Sequence, residues 1–168
     1  MNIKQASTDE LVVKEYPRYT RWFDGQLEIG IGNLILTSER LIFLHLVHVT
    51  DEKQESLQRL SEKATTTEML NQAIGLHKKN FQVPLSAITS VKSSLHSILP
   101  FPRFCLRISH RSDKKRHTEK TLTFMFTIPL WKGWFQLEIT TVMLWVRLIK
   151  TAMRAARPRS KVKITGSK

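Results

Sequence analysis

The chain has 168 residues, 41% of them hydrophobic, and a formal net charge of +13. That length suffices for one domain with a real core, and the charge favours an anionic partner: nucleic acid, an acidic membrane or an acidic protein. The lone cysteine, Cys105, excludes an intramolecular disulfide. The most apolar region, 121–149, is broken by Lys132, Glu138 and Arg147, so no window reaches the roughly 18 uncharged apolar residues of a spanning helix. The first ten residues are polar and lack the apolar core of a secretory signal. A soluble, cytoplasmic chain is expected, with peripheral association to a membrane left open.

Residues 1–17 read as a polar lead-in, with a short helix or strand at 10–16 that Pro17 would interrupt. The aromatic alternation of 19–23 marks a first strand, and Asp24-Gly25 marks a turn. Gly30 and Gly32 bracket Ile31, which suggests a bend where a sheet curls. Residues 32–47, GNLILTSERLIFLHLV, read as a hairpin: two apolar runs separated by Thr37, Ser38, Glu39 and Arg40. The second run is apolar on both faces, so something must cover each side.

Residues 50–80 break the strand pattern. Leu57, Leu60 and Ala64, then Met69, Leu70, Ala73 and Ile74, fall at helical spacing around three threonines. Thr66 or Thr67 is the expected cap of the second helix, and Gly75 should weaken or end it. An inserted helical hairpin or a long loop follows. It serves either as a lid over an open sheet face or as a contact for a partner. Strands resume at 81–85 and 88–93 around a corner at Ser86-Ala87, and 94–102 reads as a loop because of Pro100 and Pro102. Residues 103–110 alternate, with Phe104, Leu106 and Ile108 on one face and Arg107 on the other. Cys105 lies in that strand as a buried, inert thiol. Residues 121–128 place Leu122, Phe124 and Phe126 on one face, which makes 103–128 a second hairpin with a long charged tip. Phe135, Ile139, Val142, Val146, Ile149 and Met153 then step by 4, 3, 4, 3 and 4, one stripe of an amphipathic helix with Trp145 beside it. Pro158 stops the helix.

The order of G-x-L-x-L-T-x-x-R-L-I-F at the first hairpin and V-P-L-x-x-I-x-x-V at the corner, followed by two strands and a helix, resembles the GRAM and bacterial pleckstrin-homology-like (PH-like) domains. The resemblance implies a mainly β fold with α: a strongly bent antiparallel barrel of about seven strands, capped by a C-terminal helix. It also implies a binding module for lipid headgroups or protein partners, with no enzyme activity and no cofactor. The layout is then a lead-in over 1–17, one PH-like domain over 18–156 with the helical insertion at 51–80, and a basic disordered tail over 157–168. In the family the phosphoinositide grip lies between the first two strands. Here that position is Asp24-Gly25, with only Arg18 and Arg21 nearby.

Charge is unevenly placed. Residues 81–168 hold seventeen basic and three acidic side chains, net +14, while the remainder is close to neutral. The hairpin tip supplies the expected anion or lipid site: Arg111, Lys114, Lys115, Arg116 and Lys120. Arg147, Lys150, Arg154 and Arg157 form a secondary basic surface. An anionic phospholipid or membrane surface is the expected partner. A protein partner at the insertion is the alternative, and nucleic acid comes third. The tip can equally be a solvated loop that keeps an edge hairpin from aggregating. Trp131, Lys132, Gly133, Trp134 and Phe135 suit a membrane interface, but capping of the barrel mouth is expected. Six scattered histidines and no P-loop, metal spacing or nucleophile elbow give no support to catalysis.

Overall fold

The computed structural model describes residues 10–24, 27–45, 65–97, 102–111, 118–126 and 134–156. Seven strands form one antiparallel sheet: β1 (Val12–Asp24), β2 (Leu27–Thr37), β3 (Arg40–His45), β4 (Phe81–Pro84), β5 (Ile88–Ser97), β6 (Pro102–Arg111) and β7 (Glu119–Phe126). Two helices accompany them, α1 (Thr66–Gly75) and α2 (Trp134–Ala156). The strand order is β4-β3-β2-β1-β7-β6-β5, so β4 and β5 are the edges. Only the 3₁₀ turn Leu85–Ala87 separates these edges in sequence. So short a link can join opposite edges only if the sheet bends back on itself.

The expected barrel is nevertheless open, because β4 and β5 share no ladder. The corner has other uses for its backbone. Pro84 has no N–H to donate, and the Leu85 N–H donates to the Glu39 carbonyl at 2.9 Å.

The central hairpin forms as its sequence predicts, paired from Leu36 opposite Leu41 to Gly32 opposite His45. Its turn lacks Asn-Gly chemistry and uses a threonine hydroxyl instead. Thr37 Oγ1 accepts from the N–H groups of Glu39 (3.2 Å) and Arg40 (3.0 Å). Both faces of β3 are covered. Leu41 and Phe43 enter the main core, while Ile42 joins Ile35 beneath Leu70 of α1. Helix α1 is thus a lid on the outer sheet face. Its cap is Thr65, not Thr66 or Thr67: the Glu68 N–H donates to Thr65 Oγ1, and the Thr65 N–H donates to the Glu68 carboxylate. This reciprocal pair needs the acid three residues after the cap, which Thr65 alone satisfies. The helix ends at Gly75 as expected. Leu57, Leu60 and Ala64 lie outside the described residues.

Three strands are longer than expected. β1 starts at Val12 and passes through Pro17, so residues 12–16 pair with β2 instead of forming a separate lead-in. The register shifts between Tyr16 and Thr20, and at such a bulge the missing proline N–H costs no ladder bond. β5 continues to Ser97 and β6 starts at Pro102, which narrows the loop read over 94–102. Pro102 takes the first position of its strand, where proline is tolerated.

Inside the bend, Leu34, Leu36, Leu41, Phe43, Leu106, Ile108, Phe124 and Phe126 meet Val142, Trp145, Val146 and Ile149 of α2. Trp145 lies beside the stripe and widens it, as expected, and it is fully buried: it is 0% exposed and stacks on Phe126 with ring centroids 5.7 Å apart. A helix facing a curved sheet buries a face over 100° wide, broader than a strict 4-3 seam.

Candidate anion-binding surface

A cleft of about 710 Å³ lies between β4, with the segment before it, and the tip-side ends of β6 and β7. Trp22 and Phe81 line it, with ring centroids 4.7 Å apart, and both rest on the buried Phe43, at 5.8 and 5.4 Å. Its rim carries Lys78, Lys79, His110 and Lys120, with Asp24 and Glu119 as the acids. Both acids line the rim, but Glu119 accepts a hydrogen bond from Thr89 Oγ1 and stands across the strand pair from Arg111. The arrangement can hold an anion against lysines over an apolar floor.

The short segment before β4 sets the lysines in place. Lys79 Nζ donates to the Ile29 carbonyl at 2.8 Å, and Asn80 bridges Ala73 of α1 and the His45 N–H. His77 stacks on His45 with centroids 4.7 Å apart. Burial, then His77, then Lys79 hold the His45 imidazole below its ordinary pKa. Two glycines admit this strand end. A Cβ at Gly30 would lie 2.5 Å from the His45 ring, and one at Gly32 would lie 2.0 Å from the Leu44 carbonyl oxygen. The Gly30 and Gly32 signal therefore marks close approach of β3.

The sequence-predicted site residues are divided. Lys120 is exposed and joins the cleft rim. Arg111 ends β6 in the open, one residue beyond His110. Lys114, Lys115 and Arg116 lie outside the described residues. Arg147, Lys150 and Arg154 are all exposed on α2, and Arg157 lies outside the described residues. So do Trp131, Lys132 and Gly133, and the side chains of Trp134 and Phe135. Lys78 and Lys79 escaped the sequence reading because they belong to a segment whose charges cancel. Their adjacency in His-Lys-Lys-Asn was the available signal.

Two internal ion pairs also went unread. Arg40, the arginine of the hairpin motif, donates Nε and Nη2 to the Glu10 carboxylate at 2.9 and 2.6 Å. It also donates Nη1 to Asn71 at 2.7 Å and to Gln82. It therefore ties the residues before β1 to β3, α1 and β4. Glu138 of α2 is 0% exposed, and Arg103 Nε donates to it at 2.9 Å. Cys105 is buried beside this pair. Its thiol is pushed up to about 12, first by burial and then by Glu138, so it is chemically inert.

Among the described residues, no group of three or more His, Cys, Asp or Glu could hold a metal ion, and no helix is long and apolar enough to cross a membrane. No family model matches the chain, and no curated protein matches it. Among solved structures it is similar to the Vps36 N-terminal PH domain, at 11% identity and a TM-score of 0.44, over 86% of this chain and 80% of that chain. The chain itself forms a bent seven-stranded antiparallel sheet with a C-terminal helix packed inside the bend.

Proposed function

We propose that this chain is a non-catalytic, GRAM-type PH-like module over 18–156 that associates peripherally with anionic phospholipid surfaces. The observation that carries the reading is where the second half keeps its charges. Of its three carboxylates, Glu138 is spent inside on Arg103 and Glu119 is engaged by Thr89. Arg111, Lys120, Arg147, Lys150 and Arg154 are exposed and form no ion pair among the described residues. Cations left facing water attract an anionic leaflet at about 1 kcal/mol each near its surface. The cleft lysines and the charged hairpin tip are the proposed first contact, and the basic face of α2 is the second.

A protein partner at the 51–80 insertion is the less supported reading. The apolar side of α1 is occupied, with Leu70 and Ile74 packed on Ile35 and Ile42.

Co-sedimentation with phosphatidylserine-containing vesicles, at two salt concentrations and with competing DNA, tests the proposal. Reversing Arg111, Lys114, Lys115 and Arg116 to Glu takes the formal charge from +13 to +5. It should leave the fold intact and sharply reduce both retention and its salt dependence. Equal retention of that variant would show the tip to be a solvated loop. Capture by DNA with a steep salt slope, and none by vesicles, would replace the lipid reading with nucleic-acid binding.

A further inference from the structure

Helix α2 has two unlike surfaces. The inner one carries Val142, Trp145, Val146 and Ile149 into the core. The outer one should be polar on a helix of this kind, yet its first half is not. Leu137 is 55% exposed, Met143 54% and Leu144 43%. The second half of the same outward face carries Arg147, Lys150 and Arg154, all exposed. The helix contains one acid, Glu138, and that side chain is turned inward and fully buried against Arg103. The outward face therefore presents apolar, hydroxyl and cationic groups, and no anion.

We infer that this face of α2 is a membrane-insertion surface: Leu137, Met143 and Leu144 enter the interfacial layer of an anionic bilayer while Arg147, Lys150 and Arg154 lie at its phosphates. The inference rests on the lipid reading proposed above and deepens it with a hydrophobic component. Charge complementarity selects the occupant. A purely apolar patch of this kind would suit a protein partner, whereas leucines continuous with cations that form no ion pair among the described residues match the layered chemistry of an anionic leaflet, hydrocarbon below and phosphate above. The last-turn cations also favour the helix C-terminus electrostatically, but that effect asks nothing of Leu137, Met143 or Leu144. Those side chains find no place in the core and remain in water in the free protein.

A label at one position reads insertion directly. Met143→Cys creates an accessible thiol, while the buried Cys105 should stay unmodified. An environment-sensitive dye on that thiol should brighten and shift to the blue on phosphatidylcholine vesicles containing phosphatidylserine. Acyl-chain brominated lipid should quench it. Leu137→Ser combined with Leu144→Ser should keep the wild-type melting temperature and lose about tenfold or more in vesicle affinity. Replacing Arg147, Lys150 and Arg154 with Gln should cost roughly fivefold per charge at low salt. If the wild type binds these vesicles but the dye does not respond and the double serine variant binds equally well, the inference is overturned and the lipid reading stands. If the wild type binds no vesicles, both fall. A wild-type dimer in sedimentation that the double serine variant abolishes would assign the face to a second copy of the chain and overturn insertion.

Discussion

Replacing Arg103 with alanine should destabilise the fold far more than neutralising its partner. Glu138 is 0% exposed, whereas the Arg103 side chain retains 23%. One carboxylate oxygen accepts from Arg103 Nε at 2.9 Å, and the other is buried with no hydrogen-bond partner. Arg103→Ala therefore leaves an acid that neither water nor a cation can satisfy, a situation that costs about 3–5 kcal/mol. Glu138→Gln leaves a guanidinium already near solvent and an amide oxygen that still accepts its N–H, which costs about 1–2 kcal/mol. For a domain of this size each kcal/mol moves the melting temperature by roughly 2–4 °C, so Arg103→Ala should melt some 6–20 °C below wild type. Thermal and urea melts followed by circular dichroism measure both variants. Replacing both residues with leucine should recover most of the loss. If Arg103→Ala lies within about 1 kcal/mol of wild type at neutral pH, or if Glu138→Gln is the more damaging, the reasoning fails and Glu138 reaches water or another donor.

Val146→Asp would place an unpaired carboxylate in the core facing the sheet, and a loss of several kcal/mol in urea melts is expected. A wild-type melt would mean that the helix stripe does not pack there. Exchanging residues 52–78 for a short Gly-Ser linker removes Leu70 and Ile74 from Ile35 and Ile42, along with the Thr67 and Asn71 bonds to Glu10 and Arg40. Loop length alone would cost little, but uncovering that patch should cost roughly 3–6 kcal/mol, and an unchanged melt would show α1 to be dispensable. His45 has a folded pKa below its unfolded value near 6.5. Its contribution is therefore present above pH 6.5 and lost as the pH falls through the folded pKa. The stability difference between wild type and His45→Gln should narrow as the pH drops through that window, and a constant difference would exclude the linkage.

Local pattern was enough for the parts that repeat at short range. The β2–β3 hairpin, the Pro84 corner, the alternation of Leu106 with Ile108 and of Leu122 with Phe124, and the α2 stripe were all legible, because strand and helix periods are written into neighbouring residues. The double-sided apolar run of β3 even announced a cover, which α1 supplies. Glu138 was legible too, though unread: an acid four residues before Val142 and seven before Trp145 lies on the buried face, so it must find a cation. The concentration of charge in residues 81–168 is likewise a property of composition.

Which of those charges meet is decided only by folding. Arg40 finds Glu10 and Gln82 across separations of 30 and 42 residues, and nothing periodic links those positions. Lys78 and Lys79 come to Lys120 because the bent sheet brings the segment before β4 up to the start of β7. That β4 and β5 share no ladder is likewise a property of the folded sheet, written in no local period. The outward placement of Leu137, Met143 and Leu144 was equally undetermined by pattern. A helix rich in leucine fixes how many apolar side chains must be accommodated, but only the width of the groove it fills decides which of them stay in water.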